Sequence, residues 1–145
     1  MSKVEDFLTQ IEEQEIVEAI RVAEKNTSGE IRVHIEKKTS IDAFDRAMEV
    51  FHSLKMNETQ QRNGVLIYLA VKDKTFVIYG DQGINDKVAN DFWDTTRDVM
   101  VSHFKNGDFK QGLIDGIHKA GEELKRFFPY QEDDINELSN EISRG

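Results

Sequence analysis

"VLIYLAVKDKTFVIYG", Val65 to Gly80, decides the fold. Its first seven residues, Val65 to Val71, are apolar nearly throughout. Successive side chains of a strand point to opposite faces, so an unbroken apolar run suits a central strand covered on both sides. Lys72, Asp73 and Lys74 interrupt the run, and "TFVIYG" resumes it as a second β-rich segment. The gap is short enough for an antiparallel hairpin, although Asp73-Lys74 is not the ideal Asn-Gly turn.

Upstream, "EIRVHIE" alternates: Ile31, Val33 and Ile35 face one way, Arg32, His34 and Glu36 the other. This reads as a strand with one face better buried than the other. Phe44, Ala47, Met48, Phe51 and Leu54 then recur at helical spacing, with Ser40 placed to cap that helix. Strand, helix, strand is a βαβ unit, so its two strands should be parallel. An opening helix is signalled by Thr9 with Glu12 three residues on, a capping box, and by the stripe Ile16, Ala19, Ile20, Ala23, widened by Val17. Downstream, Phe92, Trp93, Thr96, Val99, Met100, His103 and Phe104 repeat at helical spacing. Gly107 stops that helix and Asp108 caps a last one carrying Leu113, Ile117, Ala120, Leu124 and Phe127, which Pro129 ends. Gly112 and Gly116 share a face with Ala120, and each glycine inside a helix costs about 1 kcal/mol relative to alanine, so a close neighbour is expected there. The pattern predicts an α/β/α sandwich: a short mixed sheet flanked by helices. A single α/β domain over residues 1–128 is expected, with an acidic tail over 129–145 whose Ile135, Leu138 and Ile142 stand at helix-like spacing, fit to dock.

Composition narrows the function. A chain of 145 residues suits one core, and 38% hydrophobic with 32% charged residues suits a globular protein with a wet surface. The net charge of −9 disfavours nucleic acid or an anionic membrane as the main partner, because both need a basic footprint. No cysteine is present, which removes disulfides, zinc–thiolate sites and thiol nucleophiles. No run reaches the roughly 18 apolar residues of a membrane span, and "MSKVEDFLTQIEEQE" lacks the apolar core of a signal peptide, so a cytoplasmic setting is expected.

The inferred topology brings three chain segments to one end of the sheet: Ser28–Glu30, Arg62–Gly64 and Gly80–Asp81. "YGDQGINDKVANDFW", Tyr79 to Trp93, leaves from that end. Glu30, Asn63, Asp81, Asn85, Asp86 and Asp91 would gather there as oxygen donors, the chemistry of a hard cation such as Ca²⁺ or Mg²⁺. Gly80 and Gly83 would let the backbone turn tightly. Gly, Asp and Asn are equally the ordinary material of a loop, and Asn90 or Asp91 can serve only to cap the next helix. The spacing is not that of an EF-hand. His34 reads as a half-buried structural histidine, His103 and His118 as helix-face residues, His52 as solvent-facing and Trp93 as core. The "EDDINE" of the tail reads as a solvated acidic stretch.

"TSGEIRVHIE", "RNGVLIYLAV", "GDQGIND" with "FWD", and "HFKNGDFKQGLIDGI", in that order, resemble the TPM domain family. This family groups thylakoid-lumen phosphatase-like proteins of photosystem II repair, bacterial relatives and a worm receptor-associated protein. The resemblance spans about Phe7 to Phe128 and is greatest to short stand-alone bacterial members of unassigned activity. It implies an α/β/α sandwich, a groove with a divalent-cation site at one end of the sheet, and an acid phosphatase activity proposed for the plant branch. Asn63 and Gly64 match the family's Asn-Gly, Asp91 its acidic residue at the next helix start, and Gly107, Asp108 and Gly112 its late motif. Arg62 stands where many members carry Asp, and Gly83-Ile84-Asn85 where others carry Gly-Leu-Glu. Many relatives are exported or membrane-anchored, whereas neither signal nor anchor is read here.

Three function classes follow. The first is a binding module holding a divalent ion or a partner segment without turnover. The second is a metal-dependent phosphomonoesterase with Asp81, Asp86 or Asp91 at the metal and Arg62 as phosphate clamp, the catalytic candidates being Asp91 and Arg62. The third is a protein-interaction domain using the glycine face or the tail. No complete catalytic constellation is present in the sequence, which ranks binding above catalysis.

Overall fold

The apolar run becomes β2, Gly64–Ala70, and all seven of its residues are buried. The computed structural model describes residues 8–130, 140 and 142–144. Around β2 the chain forms α1 (Gln10–Ala23), β1 (Glu30–Glu36), α2 (Ala43–Ser53) and a 3₁₀ turn (Met56–Glu58). β3 (Thr75–Gly80), α3 (Gln82–Asn85), α4 (Asp94–Phe104), α5 (Phe109–Lys125) and β4 (Ser143–Arg144) follow. The sheet order is β3-β2-β1-β4. β1 runs parallel to β2 with Glu30 opposite Gly64, and β3 runs antiparallel to β2 with Gly80 opposite Val65. The βαβ unit and the hairpin therefore form as expected. Lys74 turns the hairpin in a left-handed conformation (φ 54°), which supplies the twist that Asn-Gly would otherwise give.

The sheet is mixed and helices cover both faces. One face carries Ile31, Val33, Ile35, Val65, Ile67 and Leu69 and packs on α1, α4 and α5. The other carries Leu66, Tyr68 and Ala70 under Ala47, Val50 and Phe51 of α2 and Met56. Alternation along β2 feeds both layers, so its apolar run is the hinge of the sandwich.

Caps and stops follow the sequence with corrections. Thr9 and Glu12 close a capping box on α1, and Asp108 caps α5 through the Gln111 N–H. α2 is capped by Asp42, whose carboxylate accepts from Phe44 and Asp45, and not by Ser40. Its buried stripe is Ala47, Val50 and Phe51, while Phe44 and Met48, expected inside, are 52% and 37% exposed. α4 begins at Asp94, so Phe92 and Trp93 precede it and pack against the core from the loop. α5 ends at Lys125, before Phe127 and well before Pro129, which instead bridges Thr27. The glycine face of α5 meets α4: a Cβ on Gly112 would sit 2.4 Å from the Phe104 ring, and one on Gly116 2.6 Å from Met100 Sδ. That face is filled inside the fold.

β1 corrects a second expectation. Its polar face is buried too, with Glu30, His34 and Glu36 each 4% exposed. Of the residues expected to dock from the tail, Ile142 packs against the core and leads into β4; Ile135 and Leu138 lie outside the described residues, as does the "EDDINE" stretch.

Candidate functional site

At the amino end of β1 and β2 the three expected segments meet. The Glu30 N–H donates to the Asn63 carbonyl (3.3 Å) and the Asp81 N–H to the Gly64 carbonyl (2.9 Å). Arg62 is left-handed (φ 52°), an uncommon conformation for a side chain with a Cβ. Its guanidinium forks onto Asp81, with Nε to Oδ2 at 2.8 Å and Nη2 to Oδ1 at 3.0 Å. The Asp81 side chain is 5% exposed and that of Arg62 45%, so the fork shields a carboxylate that would otherwise be buried alone. Asp81 Oδ1 also accepts the Gln82 N–H (2.7 Å) and caps α3. The Gly83 N–H donates to the Arg62 carbonyl (2.9 Å), and a Cβ at Gly83 would stand 2.2 Å from the Gln61 carbonyl oxygen. Only glycine fits where α3 crosses the 61–62 turn.

The six expected donors share this region but differ in availability. Asn63 is buried and its amide donates to the Ser28 carbonyl (3.2 Å). The Asn85 amide turns back to the Gly80 carbonyl (3.3 Å). Asp81 is committed to Arg62 and Gln82, and Glu30 is buried. Asp86 and Asp91 are exposed on the loop after α3. Among the described residues, no group of three or more His, Asp or Glu side chains is close enough together to hold a metal ion. Arg62, expected as a phosphate clamp, already has its charge met by Asp81.

Glu24 was missed by the sequence reading. It follows α1, and its Oε2 accepts the Ile31 N–H (2.9 Å). Burial pushes its carboxyl up to about 8; the Ile31 N–H opposes the rise and the neighbouring Glu30 charge adds to it. The signal was spacing: Ile16, Ile20 and Glu24 stand four apart on one helical face.

A second polar cluster occupies the opposite end, where β1 and β2 finish. Glu36 accepts from Arg46 Nε (2.9 Å) and Nη2 (3.0 Å), from the Tyr68 hydroxyl, and pairs with His34 Nε2 (3.1 Å). His34 stacks on Tyr68, with centroids 5.8 Å apart and planes 9° apart, and its Nδ1 meets Ser143 Oγ at 2.9 Å. Burial pushes the Glu36 carboxyl up, but the hydrogen bonds from Arg46, Tyr68 and His34 outweigh it and hold it down at about 2. Burial lowers the His34 pKa against the pull of Glu36. Burial and the hydrogen bond to Glu36 raise the Tyr68 hydroxyl. A cleft of about 380 Å³, walled by Glu36, Lys38, Ser40, Arg46 and Glu49 among others, opens beside the cluster. The His34–Glu36 pair was legible only as strand alternation; nothing local in the sequence brings Tyr68 or Arg46 to it.

Sequence and structure comparisons agree on the lineage. The family model described as the TPM domain matches residues 1–123. The chain belongs to the TPM domain family. No curated protein matches it. This TPM domain superposes on the NMR structure of BA42 protein from the psychrophilic bacterium Bizionia argentinensis with a TM-score of 0.94, at 67% identity over all of both chains. The N-terminal domain of a P. gingivalis protein aligns at TM-score 0.70 and 14% identity, covering 87% of this chain and 83% of that one. The N-terminal domain of cg2496 protein from Corynebacterium glutamicum aligns at 0.64 and 10%, covering 93% and 79%. At those identities the last two share the fold alone. In this TPM domain the late-motif residues are structural: Gly107 turns at φ 77°, Asp108 caps α5, and Gly112 makes room for Phe104. No described helix is long and apolar enough to cross a membrane.

Proposed function

We propose that this TPM domain is a binding module that holds a ligand at the amino end of β1 and β2 without turning it over. The observation that carries the reading is the Arg62–Asp81 fork, set on a left-handed residue and locked by the Gly83 contact. The fork and the Gly83 contact fix the turn from which α3 and the Asp86–Asp91 loop leave, so that loop starts from a rigid base. His34, His52 and His103 make their hydrogen bonds outside that network.

The ligand class is a divalent cation, Ca²⁺ or Mg²⁺. Asp81 can join a cation's shell only by giving up Arg62 or the Gln82 N–H, so a cage made wholly of protein oxygens does not fit. The exposed carboxylates of Asp86 and Asp91 fit an ion that keeps much of its water. Calorimetric titration with CaCl₂ and MgCl₂ tests this. Saturable binding that weakens at least about tenfold in Asp86→Asn and Asp91→Asn, and not in Asp98→Asn, supports it. Equal affinities in all three variants overturn the site. Hydrolysis of a generic phosphomonoester that Asp91→Asn abolishes overturns the absence of turnover.

A further inference from the structure

β1 has two edges, and the described residues fully pair only one. The Glu30 N–H points to Asn63, so alternation turns the N–H and C=O groups of Ile31, Val33 and Ile35 away from β2. On that outer edge the described residues pair β1 at two positions, His34 with Ser143 and Ile35 with Arg144. The Ile31 N–H is held by the Glu24 carboxyl oxygen, a side chain standing where a strand would.

Among the described residues, the side chains of 142–144 anchor β4. Ser143 meets His34, Arg144 donates to Glu13 of α1, and Ile142 packs against the core. A strand of two residues is shorter than the usual range, and the Arg144–Glu13 pair is partly exposed, so it adds little. Beside it lies a groove of about 430 Å³ between α1 and β4, walled by Gln10, Glu13, Gln14 and Val17 with Ile142 and Arg144.

We propose that this edge and groove form an acceptor site for an extended peptide of a partner protein, laid parallel to β1, and that Ser143–Arg144 is its displaceable occupant. The occupant shows what the site reads. An apolar residue enters the core as Ile142 does, a hydroxyl meets His34 as Ser143 does, and a basic residue meets Glu13 as Arg144 does. Strand addition supplies affinity through the backbone, and alternate side chains supply selectivity. The partner segment is therefore apolar, hydroxyl-bearing and basic in consecutive positions. The net charge of −9 favours such a basic partner. The site lies toward the carboxyl end of β1, apart from the end assigned above, so the two readings fail independently.

The test uses the whole chain carrying Ser143→Pro and Arg144→Glu. These changes remove the amide that a parallel ladder turns toward β1 and reverse the charge facing Glu13. A fluorescent peptide with the sequence of residues 140–145 is titrated by anisotropy. The expected result is binding at least about tenfold tighter than to the unmodified chain, whose own strand competes. Adding Glu13→Lys should cut that binding about tenfold. Absence of binding to a variant that still melts cooperatively, or binding indifferent to Glu13→Lys, overturns the proposal. Amide exchange on the unmodified chain decides the matter if the variant fails to fold. The Ile35 amide should open far more readily than that of Ile67 at the centre of β2, and equal protection of the two overturns the proposal.

Discussion

Glu24 should make the stability of this domain fall as pH rises from 5 to 9. Its folded-state carboxyl sits at about 8 against an ordinary 4.5. A raised acid binds its proton more tightly when folded, so its contribution is complete below about 4.5 and is lost as pH climbs through 8. The difference of 3.5 corresponds to about 5 kcal/mol at most. Partial solvent access screens the charge, and about 1–3 kcal/mol is the expected effect. Glu24→Gln keeps an oxygen for the Ile31 N–H and removes the titration. Urea unfolding of both proteins at pH 5, 7 and 9 gives the test. The two should be nearly equal at pH 5, with the variant ahead by that margin at pH 9. Parallel curves across the range would refute the placement of Glu24 as a buried acid beside Glu30.

Glu36 has the opposite sign: held at about 2, it contributes stability above about 4.5 that is lost as pH falls toward 2. Glu36→Gln should flatten that acid limb in pH-dependent unfolding and destabilise the domain at neutral pH. Tyr68→Phe removes one hydrogen bond from a buried carboxylate and should cost about 1–3 kcal/mol in urea unfolding, with Arg46 and His34 still in place. Gly83→Ala drives a Cβ into backbone oxygens that cannot yield and should cost about 1–3 kcal/mol, a drop in Tm of several degrees by calorimetry. Gly116→Ala meets the flexible Met100 instead, so the double variant with Met100→Ala should recover part of the loss.

Regular patterns were legible, and long-range pairings were not. Val65–Val71 announced a strand covered on both faces because both sets of alternate side chains are apolar, and β2 is buried throughout. The parallel and antiparallel partners followed from connection lengths, which is why Glu30, Asn63 and Asp81 were expected at one end. The partner of Asp81 was not readable, since a charged loop residue such as Arg62 gives no sign of which carboxylate it will meet. Glu36 hid for the same reason: Arg46 lies one helix away and Tyr68 on the next strand. The fourth strand escaped because two residues carry no period. Phe44 and Met48 fit a helical stripe as well as Val50 does, and only the position of β3 under α2 decides which side is covered.

The unequal thickness of the two layers sets where the domain gives way. The α1–α4–α5 side is held by a large cluster of buried side chains, whereas α2 is held by seven buried residues on its side and leaves Phe44 and Met48 to solvent. Arg46, forked onto Glu36, is the bolt that ties the thin layer to β1. A thin layer bolted at Arg46 opens before the thick one, as a subglobal unit with its own free energy. When it lifts, Tyr68 and Glu36 meet water together, and the sheet is left with one bare face while α1 and α5 still grip the other. The domain therefore unfolds from the α2 side, and acid draws that bolt only as pH falls toward 2, where Glu36 takes up its proton and frees Arg46.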